Sequence, residues 1–332
     1  MEQTSVRKAT ANSCSNIAFI KYWGNREAAR RLPLNDSISM NLDQTTTTTT
    51  VEFAADLGDD LIVISGAEAQ GATRARVVAH LDRVRTLAKI EMRAHVQSRN
   101  NFPMGTGIAS SASAFAALSI AAVRAAGLEL SERELSILAR QGSGSACRSV
   151  PDGFVEWISG SNSQGSYAVS IAPASHWDLR DVIVIVSSEE KQVGSTEGHA
   201  AAATSPFLAT RVNALPVRFH RVRRAVLAKD LALLGPALEE EAIELHFVAM
   251  TSRPPVFYWT PGMVRVIQAM QQWRADGLPV YFTLDAGPTV HLICESKDAD
   301  QVAAQARAVA DVQQVIVNAP GGAAHLIDDH LF

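Results

Sequence analysis

The sequence predicts an α+β fold, in which strands and helices mix without the strict alternation typical of a parallel sheet. Six threonines at 45–50 lead into an apolar segment, and such β-branched side chains favour a strand. Apolar residues at three- and four-residue spacing over 72–90 favour an amphipathic helix. A chain of 332 residues suits one large or two modest domains. We expect a boundary near residue 180, which gives an N-terminal lobe at 1–180 and a C-terminal lobe at 181–332.

In the N-terminal lobe, strand and helix patterns are separated by loops rich in glycine and serine. A loop at 98–107 precedes an alanine-rich helix that Gly127 ends. Ser131 and Glu134 have the spacing of a capping box at the start of the next helix. We interpret 143–153 as a loop. Strands are therefore predicted at 45–53, 61–65, 92–97, 155–160 and 167–171, and helices at 72–90, 110–126 and 131–142.

In the C-terminal lobe, an apolar run at 182–187 predicts a buried strand, and a polar loop is expected to continue as far as Gly198. Helical spacing then extends over 205–246. We expect an interruption at 235–236, because proline disrupts the interior of a helix. The two prolines in the 253–255 segment predict a further break. The remaining predictions are helices at 262–275 and 298–310 and strands at 280–284, 290–295 and 314–317.

Composition and charge exclude several classes of protein. A formal net charge of −4 and an apolar share of 47% exclude global disorder and give no basis for nucleic-acid or membrane partners. Cys14, Cys147 and Cys294 are widely spaced without a CxxC pattern, so we expect neither a disulfide framework nor a zinc module. Residues 1–12 have no apolar segment of the signal-peptide type, and the most apolar stretch, 112–123, is too short to cross a bilayer. We therefore expect a cytoplasmic protein.

A glycine- and serine-rich segment at 103–115 leads into the alanine-rich helix. Glycines allow close approach of the backbone to a ligand, and the free N–H groups of a helix start favour a phosphate. The hydroxyls of Ser110, Ser111 and Ser113 would add hydrogen bonds or help to hold a cation. An ordinary capped helix with a small-residue packing face is the alternative. The segment is not a Walker A loop, because no Gly-Lys-Ser/Thr occurs.

Other polar side chains stand beside predicted loops. The 141–149 segment combines hydroxyls with the Arg148 guanidinium, which suits phosphate or carboxylate, although a solvated turn is the alternative. Lys21 lies near a strand end, either as a cation aimed into a cleft or as a surface residue. Asp285 lies at a turn after an apolar strand, where it is either catalytic or a turn cap. Arg76 is by default a surface residue of the first helix.

Taken together, these segments resemble the mevalonate 5-diphosphate decarboxylase family. This family belongs to the galactokinase, homoserine kinase, mevalonate kinase and phosphomevalonate kinase superfamily. The similar segments occur in the same order along nearly the whole chain, and those at 21–24 and 142–149 are specific to the decarboxylase branch. The segments that carry the resemblance are 16–24, 32–39, 107–118, 142–149, 195–198, 254–258 and 282–288.

The resemblance implies a two-lobe small-molecule kinase fold with a central cleft, ATP and Mg²⁺ as cofactors, a 5-phosphorylated mevalonate as substrate, and a homodimer. In the family, ATP phosphorylates the tertiary C3 hydroxyl, and loss of that phosphate and of CO₂ leaves an isopentenyl product. Phosphorylation is needed because a tertiary hydroxyl is a poor leaving group. Its expulsion builds positive charge at C3, which a nearby carboxylate would stabilise.

The resemblance also implies roles for individual residues. Asp285 would be the catalytic carboxylate that orients or deprotonates the C3 hydroxyl. Lys21 would polarise Asp285 or neutralise developing phosphate charge, and Arg76 would hold the substrate carboxylate. The residues implied to bind the C5 phosphate end are Tyr22, Ser143, Gly144, Ser145 and Arg148, with Ser195 and His199 on a nearby loop. The implied ATP phosphate loop contains Gly105, Gly107, Ala109, Ser110 and Ser111, and Ser110 is the candidate metal ligand.

One position departs from the family pattern. The motif at 21–24 usually continues with a lysine that faces the substrate diphosphate, whereas this chain has Asn25. Loss of that cation weakens binding of a second phosphate, since a hydrogen bond to a charged group contributes about 1.5–3 kcal/mol. We therefore expect mevalonate 5-phosphate as substrate and isopentenyl phosphate as product. The alternative is the diphosphate, with Arg26, Lys191 or His199 in place of the missing lysine.

Two other functions remain open. A sister activity phosphorylates the C3 hydroxyl without decarboxylation, but the presence of both Asp285 and Lys21 argues against it. A non-catalytic binding module on the same fold would be expected to lack the phosphate loop or the aspartate, and this chain has both.

Overall fold

The computed structural model describes residues 8–102, 108, 110–187 and 193–332. Over these residues the chain forms the predicted α+β fold, with an eight-stranded sheet, a four-stranded sheet and a two-stranded hairpin. The strands are β1 (Lys8–Ile20), β2 (Asn25–Glu27), β3 (Leu32–Pro33), β4 (Ser37–Ala54), β5 (Leu61–Ile64), β6 (Ala67–Glu68), β7 (Arg93–Asn100), β8 (Phe154–Ile158), β9 (Tyr167–Ala172), β10 (Leu179–Ile185), β11 (Tyr281–Thr283), β12 (Thr289–Glu295), β13 (Gln314–Asn318) and β14 (His325–Ile327). The helices are α1 (Gly71–Ala88), α2 (Ser110–Ala125), α3 (Glu132–Gly142), α4 (Ser195–Ala202), α5 (Leu208–Ala228), α6 (Leu231–Met250), α7 (Pro261–Ala275) and α8 (Ala299–Arg307).

The eight-stranded sheet is built around β1 and β4, which pair antiparallel along most of their length. Its order is β14-β1-β4-β7-β5-β6, and the β8–β9 hairpin joins through β4. The threonine run lies in β4, where alternate side chains are buried. The Thr47 hydroxyl donates to Asn100 at 2.8 Å, and the hydroxyls of Thr49 and Ser98 are 2.8 Å apart. A polar run thus forms a central strand, because it is β-branched and its buried hydroxyls have partners.

Helix α2 lies against β1 and β4, which explains its small side chains. Ala112, Ala116, Ala117 and Ala121 are fully buried, and side chains of this size let the helix approach the sheet closely. The packing places the first residues of α2, which follow the predicted phosphate loop, beside the end of α3.

The four-stranded antiparallel sheet has the order β11-β12-β10-β13. One face carries Val182 and Val290 and packs against α7 and α8, in a core cluster that includes Met263 and Val302. The other face packs against α5 and α6, and this second cluster also contains residues of β1. Because one core joins both sheets, the chain after β1 comes to lie beside the chain after β11.

Two predictions for the C-terminal half are wrong. The long helical region breaks at Lys229, which adopts φ 56°, and not at 235–236. Asp230 then caps α6 by accepting a hydrogen bond from the Leu233 N–H at 2.9 Å. The 235–236 pair lies inside α6, where a Cβ on Gly235 would lie 2.1 Å from Tyr281. The polar loop expected as far as Gly198 ends earlier, because its polar residues form the first turn of α4.

Three further predictions need correction. The segment read as a loop at 143–153 contains a six-residue 3₁₀ helix, Gly144–Ser149, that is largely buried. Strand β7 continues to Asn100, beyond the start of the predicted 98–107 loop. The last strand is β14, which pairs with β1 and follows the strand predicted at 314–317. Pairing with strands distant in sequence decides the extent of β7 and the existence of β14, and the local pattern carries no sign of it. Among the described helices, none has both the length and the apolar character that crossing a membrane requires.

The Asp230 cap gives a test of the break between α5 and α6. We expect Asp230→Ala to lower the free energy of unfolding by about 1 kcal/mol, because one helix-terminal N–H loses its acceptor. Chemical denaturation measures the change. Asp328→Ala is the control, since Asp328 is exposed and follows β14 rather than capping a helix. Equal stability of the two variants would contradict the assignment of the cap.

Candidate active site

The structure brings Lys21 and Asp285 into direct contact. Lys21 directly follows β1, and Asp285 follows β11 in the turn before Pro288. The Lys21 ammonium Nζ lies 2.7 Å from the Asp285 carboxylate Oδ1. The Lys21 side chain is only 1% exposed, whereas Asp285 is 22% exposed. Lys21 is therefore not a surface lysine, and its partner carboxylate faces solvent on one side.

Burial and pairing act in opposite directions on this pair. Burial lowers the pKa of the Lys21 ammonium, and the Asp285 carboxylate opposes that shift without cancelling it. Burial alone would raise the pKa of Asp285, but the charges of Lys21, His291 and Arg148 outweigh it and lower this pKa. Asp285 is therefore ionised at neutral pH. His246, packed beside the pair, has a pKa lowered to about 3 by burial and adds no charge there.

A buried ionic network on α5 and α6 holds the backbone of Lys21. The Lys21 N–H donates to Glu241 Oε1 at 3.0 Å, and the Lys21 carbonyl accepts from Arg211 at 3.2 Å and from Asn35 at 3.1 Å. Glu241 is fully buried and also accepts from Arg211 and from Arg218. These contacts fix where the Lys21 side chain starts, and hence where its ammonium can reach.

Arg148 lies in the buried 3₁₀ segment with neutral partners. Its guanidinium donates to the Asn16 side-chain oxygen at 3.1 Å and to the Ser37 hydroxyl at 2.8 Å. Among the described residues, no carboxylate lies within ion-pair distance of it. Its charge acts on both Lys21 and Asp285. A buried guanidinium with only neutral hydrogen-bond partners, whose charge reaches the Lys21–Asp285 pair, is suited to an anionic ligand.

Tyr22, Asn25 and His199 lie together on the next part of the chain. The Tyr22 hydroxyl donates to Asn25 Oδ1 at 2.5 Å, and the Tyr22 and His199 ring centroids are 4.0 Å apart. Burial raises the pKa of Tyr22 to about 12, so this hydroxyl keeps its proton. His199 Nδ1 accepts from the Gly24 N–H at 2.9 Å. The imidazole is therefore held with its Nε2 directed away from Gly24.

The serine-rich segment meets Tyr22 and the start of α2. Gly144 packs under the Tyr22 ring so closely that a Cβ there would lie 2.4 Å from Tyr22 Cε1. The hydroxyls of Ser143 and Ser111 are 3.2 Å apart, which links this segment to the first turn of α2. The Ser145 carbonyl accepts from Asn16 at 3.3 Å. The predicted phosphate-end residues therefore form one continuous surface.

The remaining predicted residues have mixed outcomes. Arg76 lies at the rim, where it donates to the Gly142 carbonyl at 3.3 Å and lies over the Phe115 ring. Ser195 begins α4, and Gly198 of this helix packs against Trp23. Gly105, Gly107 and Ala109 lie outside the described residues.

Two serines of the phosphate-loop segment have different environments. Ser110 is the first residue of α2 and is partly exposed. Ser113 is fully buried, and its hydroxyl is 2.6 Å from that of Thr47, so it faces the sheet and not the loop. In the described part of the chain, no three histidine, cysteine, aspartate or glutamate side chains are grouped to hold a metal ion.

Sequence reasoning missed the residues that hold the site in place. Glu241 and Arg211 are 220 and 190 residues from Lys21 in sequence. Asn35 is closer, but nothing in its local pattern distinguishes it from other polar residues. Asn16 lies within a segment that carried the resemblance, but its contact with Arg148 was not foreseen. Glu241 is the last of three consecutive glutamates in α6, so the sequence alone did not distinguish it from its exposed neighbour Glu240.

Comparison with known proteins identifies the family. A family model for the diphosphomevalonate decarboxylase-like N-terminal domain matches residues 13–168, and one for the mevalonate 5-diphosphate decarboxylase C-terminal domain matches residues 181–323. The chain belongs to this family. It is accordingly an enzyme, a decarboxylase of the mevalonate pathway, as the resemblance implied.

Individual relatives cover nearly the same length. The diphosphomevalonate decarboxylase of Aspergillus fumigatus is 37% identical over 330 residues, which cover 92% of this chain and 81% of that protein. The phosphomevalonate decarboxylase of Haloferax volcanii is 34% identical over 325 residues, which cover 97% of this chain and 98% of that protein. A solved structure described as MDDEF in complex with MVAPP, AMPPCP and magnesium has a TM-score of 0.91 at 34% identity, covering 97% of this chain and 99% of that one.

Glu241 provides a test of the network that holds Lys21. We expect Glu241→Gln to lower the free energy of unfolding by about 3–5 kcal/mol, because two buried guanidinium groups lose their shared counter-charge. Glu240→Gln is the matched control on the same helix, since Glu240 is 46% exposed and its loss leaves Arg218 paired with Glu241 and Glu244. Denaturant unfolding of both variants measures the difference. A loss below 1 kcal/mol for Glu241→Gln would contradict the role assigned to Glu241.

Proposed function

We propose that the protein is a phosphomevalonate decarboxylase, which converts mevalonate 5-phosphate and ATP to isopentenyl phosphate, ADP, phosphate and CO₂. The observation that carries this proposal is the Lys21–Asp285 contact, which holds an ionised and partly exposed carboxylate against a buried ammonium. In the reaction, the γ-phosphoryl group of ATP is transferred to the C3 hydroxyl oxygen as its bond to ADP breaks, and the hydroxyl proton is released to solvent. The C3–O bond then breaks to release phosphate, and the C1–C2 bond breaks to release CO₂. The electron pair of the C1–C2 bond forms the new C2=C3 double bond.

Asp285 and Lys21 have separate tasks in this mechanism. The Asp285 carboxylate accepts a hydrogen bond from the C3 hydroxyl and orients it for phosphoryl transfer. The same negative charge stabilises the positive charge that develops at C3 when the phosphate leaves. Lys21 keeps Asp285 ionised, since its ammonium favours the charged form of the carboxylate.

The positions of the two arginines suggest roles opposite to those that the resemblance implies. In the substrate, the carboxylate carbon is two bonds from C3, whereas the phosphorus is four bonds away. Arg148 lies close enough to Asp285 for their charges to interact, whereas Arg76 lies at the rim against Gly142. We therefore assign the substrate carboxylate to Arg148 and the C5 phosphate to Arg76, together with Tyr22 and Ser143.

The choice of one phosphate over two rests on Asn25 and its neighbours. Asn25 is neutral and its Oδ1 already accepts from Tyr22. Arg26 is exposed and donates to the Ser159 carbonyl at 3.0 Å, and His199 uses Nδ1 on Gly24. Lys191 lies outside the described residues. These contacts engage two of the three groups that were expected to replace the family lysine, which favours the monophosphate.

The similar proteins include an enzyme named for the monophosphate substrate and enzymes named for the diphosphate substrate. The Haloferax volcanii relative, whose name states the monophosphate, matches over 98% of its own length. The Aspergillus fumigatus relative, whose name states the diphosphate, has the higher identity of the two. Conversion of mevalonate 5-diphosphate to isopentenyl diphosphate is therefore the second candidate function.

The residues present fit ATP with Mg²⁺. The 16-residue helix α2 begins at Ser110, so its N–H groups and dipole suit the ATP phosphates. Mg²⁺ is usually held by one or two protein oxygens together with substrate phosphates, which agrees with a site that offers Ser110 and lacks a carboxylate cluster among the described residues. When bound, the cation neutralises charge on the transferred phosphoryl group. The related structure whose description names AMPPCP and magnesium supports this pairing.

A substrate comparison tests the proposal. Purified protein would be assayed with Mg²⁺ and ATP on mevalonate, mevalonate 5-phosphate and mevalonate 5-diphosphate, with ADP and CO₂ followed together. We expect the highest kcat/KM, with equal amounts of ADP and CO₂, on the 5-phosphate. A preference for the diphosphate would establish the second candidate function. ADP without CO₂ from every substrate would indicate a C3 kinase.

Asn25 gives a test of the phosphate count by substitution. We expect Asn25→Lys to raise the ratio of kcat/KM for the diphosphate over the monophosphate by roughly 10- to 150-fold, because a hydrogen bond to a charged group is worth about 1.5–3 kcal/mol. Asn25→Gln is the matched control, because it changes the length of the side chain and leaves it neutral. A wild-type ratio of kcat/KM in the lysine variant would contradict the role of Asn25 in selecting the monophosphate.

A further inference from the structure

Two arginines at the rim of the candidate site have no carboxylate partner. Neither Arg31 nor Arg76 lies within ion-pair distance of an aspartate or glutamate in the described parts of the chain. The neighbouring Arg30, by contrast, pairs with Glu27 at 3.3 Å. Many surface arginines lack a counter-ion, so an anion-binding site at Arg31 and Arg76 requires further evidence from their positions.

Arg31 and Arg76 converge on consecutive carbonyl groups. Arg31 Nε donates to the Gln141 carbonyl at 3.3 Å, and Arg76 Nη2 donates to the Gly142 carbonyl at 3.3 Å. The two guanidinium groups come from distant parts of the sequence, and the positive charge of Arg31 acts on Arg76. Two like charges brought together without a carboxylate repel each other, and a bound anion relieves that repulsion. Ser143, whose hydroxyl lies 3.2 Å from that of Ser111, is the next residue along the chain.

The charge of Arg31 also acts on Tyr22, whose hydroxyl donates to Asn25. Burial raises the pKa of the Tyr22 hydroxyl, and the positive charge of Arg31 is the largest influence that opposes this rise. Arg31 is half-buried and adopts φ 50° at the turn before β3, where its N–H donates to the Ala28 carbonyl at 3.1 Å.

We propose that Arg31 and Arg76 together bind the first phosphate, the ester on C5 of the substrate, while position 25 offers no cation to a second phosphate. This inference rests on the proposed function and names a specificity-determining residue for it. A phosphate monoester carries a charge of about −1.5 to −2 at neutral pH, which two guanidinium groups match. Each guanidinium presents parallel N–H donors to phosphate oxygens. The two cations at this end come from the β2–β3 turn and from α1.

Substitution of Arg31 tests the inference. We expect Arg31→Gln to raise KM for mevalonate 5-phosphate roughly 10- to 150-fold with kcat little changed, because the lost group touches the phosphate and not C3. Arg31→Lys should recover part of the loss, since it restores the charge without the planar donors. Arg30→Gln is the matched control next in sequence, and it should leave both constants unchanged. Thermal unfolding of all three variants checks that each is folded.

Calorimetric binding without ATP separates this inference from the proposed function. We expect Arg31→Gln to weaken binding of mevalonate 5-phosphate and to leave binding of unphosphorylated mevalonate unchanged. Unaltered affinity for the 5-phosphate would overturn the role of Arg31, and so would an equal loss for both ligands. A wild-type protein that binds mevalonate 5-phosphate through Arg31 but releases no CO₂ would refute the proposed function and support the binding role. A wild-type protein that does not bind the 5-phosphate would overturn both.

Discussion

The contact between the Lys21 ammonium and the Asp285 carboxylate is the interaction on which the rest of the candidate site depends. An ammonium that is 1% exposed is costly to bury unless an anion and hydrogen-bond acceptors surround it. Asp285 supplies the anion, and its open side remains available to a substrate. The pair therefore stabilises the charged form of each partner while leaving one carboxylate face free for chemistry.

That contact requires the two sheets to be held together. Lys21 follows a strand of the eight-stranded sheet, and Asp285 follows a strand of the four-stranded one. The shared apolar core joins the sheets, and the buried Glu241 network fixes the Lys21 backbone from α5 and α6. Arg148 and Tyr22 are then arranged around the pair by the 3₁₀ segment, whose Gly144 leaves room for the tyrosine ring. Anionic groups of a substrate would meet this polar surface on both sides of the carboxylate.

The sequence predicted the fold class and most strands and helices, because periodicity, glycine stops and the capping box at Ser131 are local signals. The sequence-based prediction failed where contacts between residues far apart in the chain determine the secondary structure. The 235–236 pair stays helical because it packs against Tyr281, and β14 exists because β1 offers an edge. The resemblance led to Lys21, Asp285 and Arg148, which the structure brings close together. Glu241 carries no motif, since its role arises only when α6 meets the end of β1.

In the proposed reaction, Asp285, paired with Lys21, acts on C3 of a phosphorylated mevalonate. The most direct test is a single-turnover measurement of ADP and CO₂ from mevalonate 5-phosphate by the Asp285→Asn variant, whose fold and substrate binding are verified separately. We expect both products to form about 10²- to 10⁴-fold more slowly, because the neutral amide neither acts as a hydrogen-bond acceptor of a carboxylate's strength toward the hydroxyl nor stabilises positive charge at C3. Formation of ADP and CO₂ at the wild-type rate would contradict it.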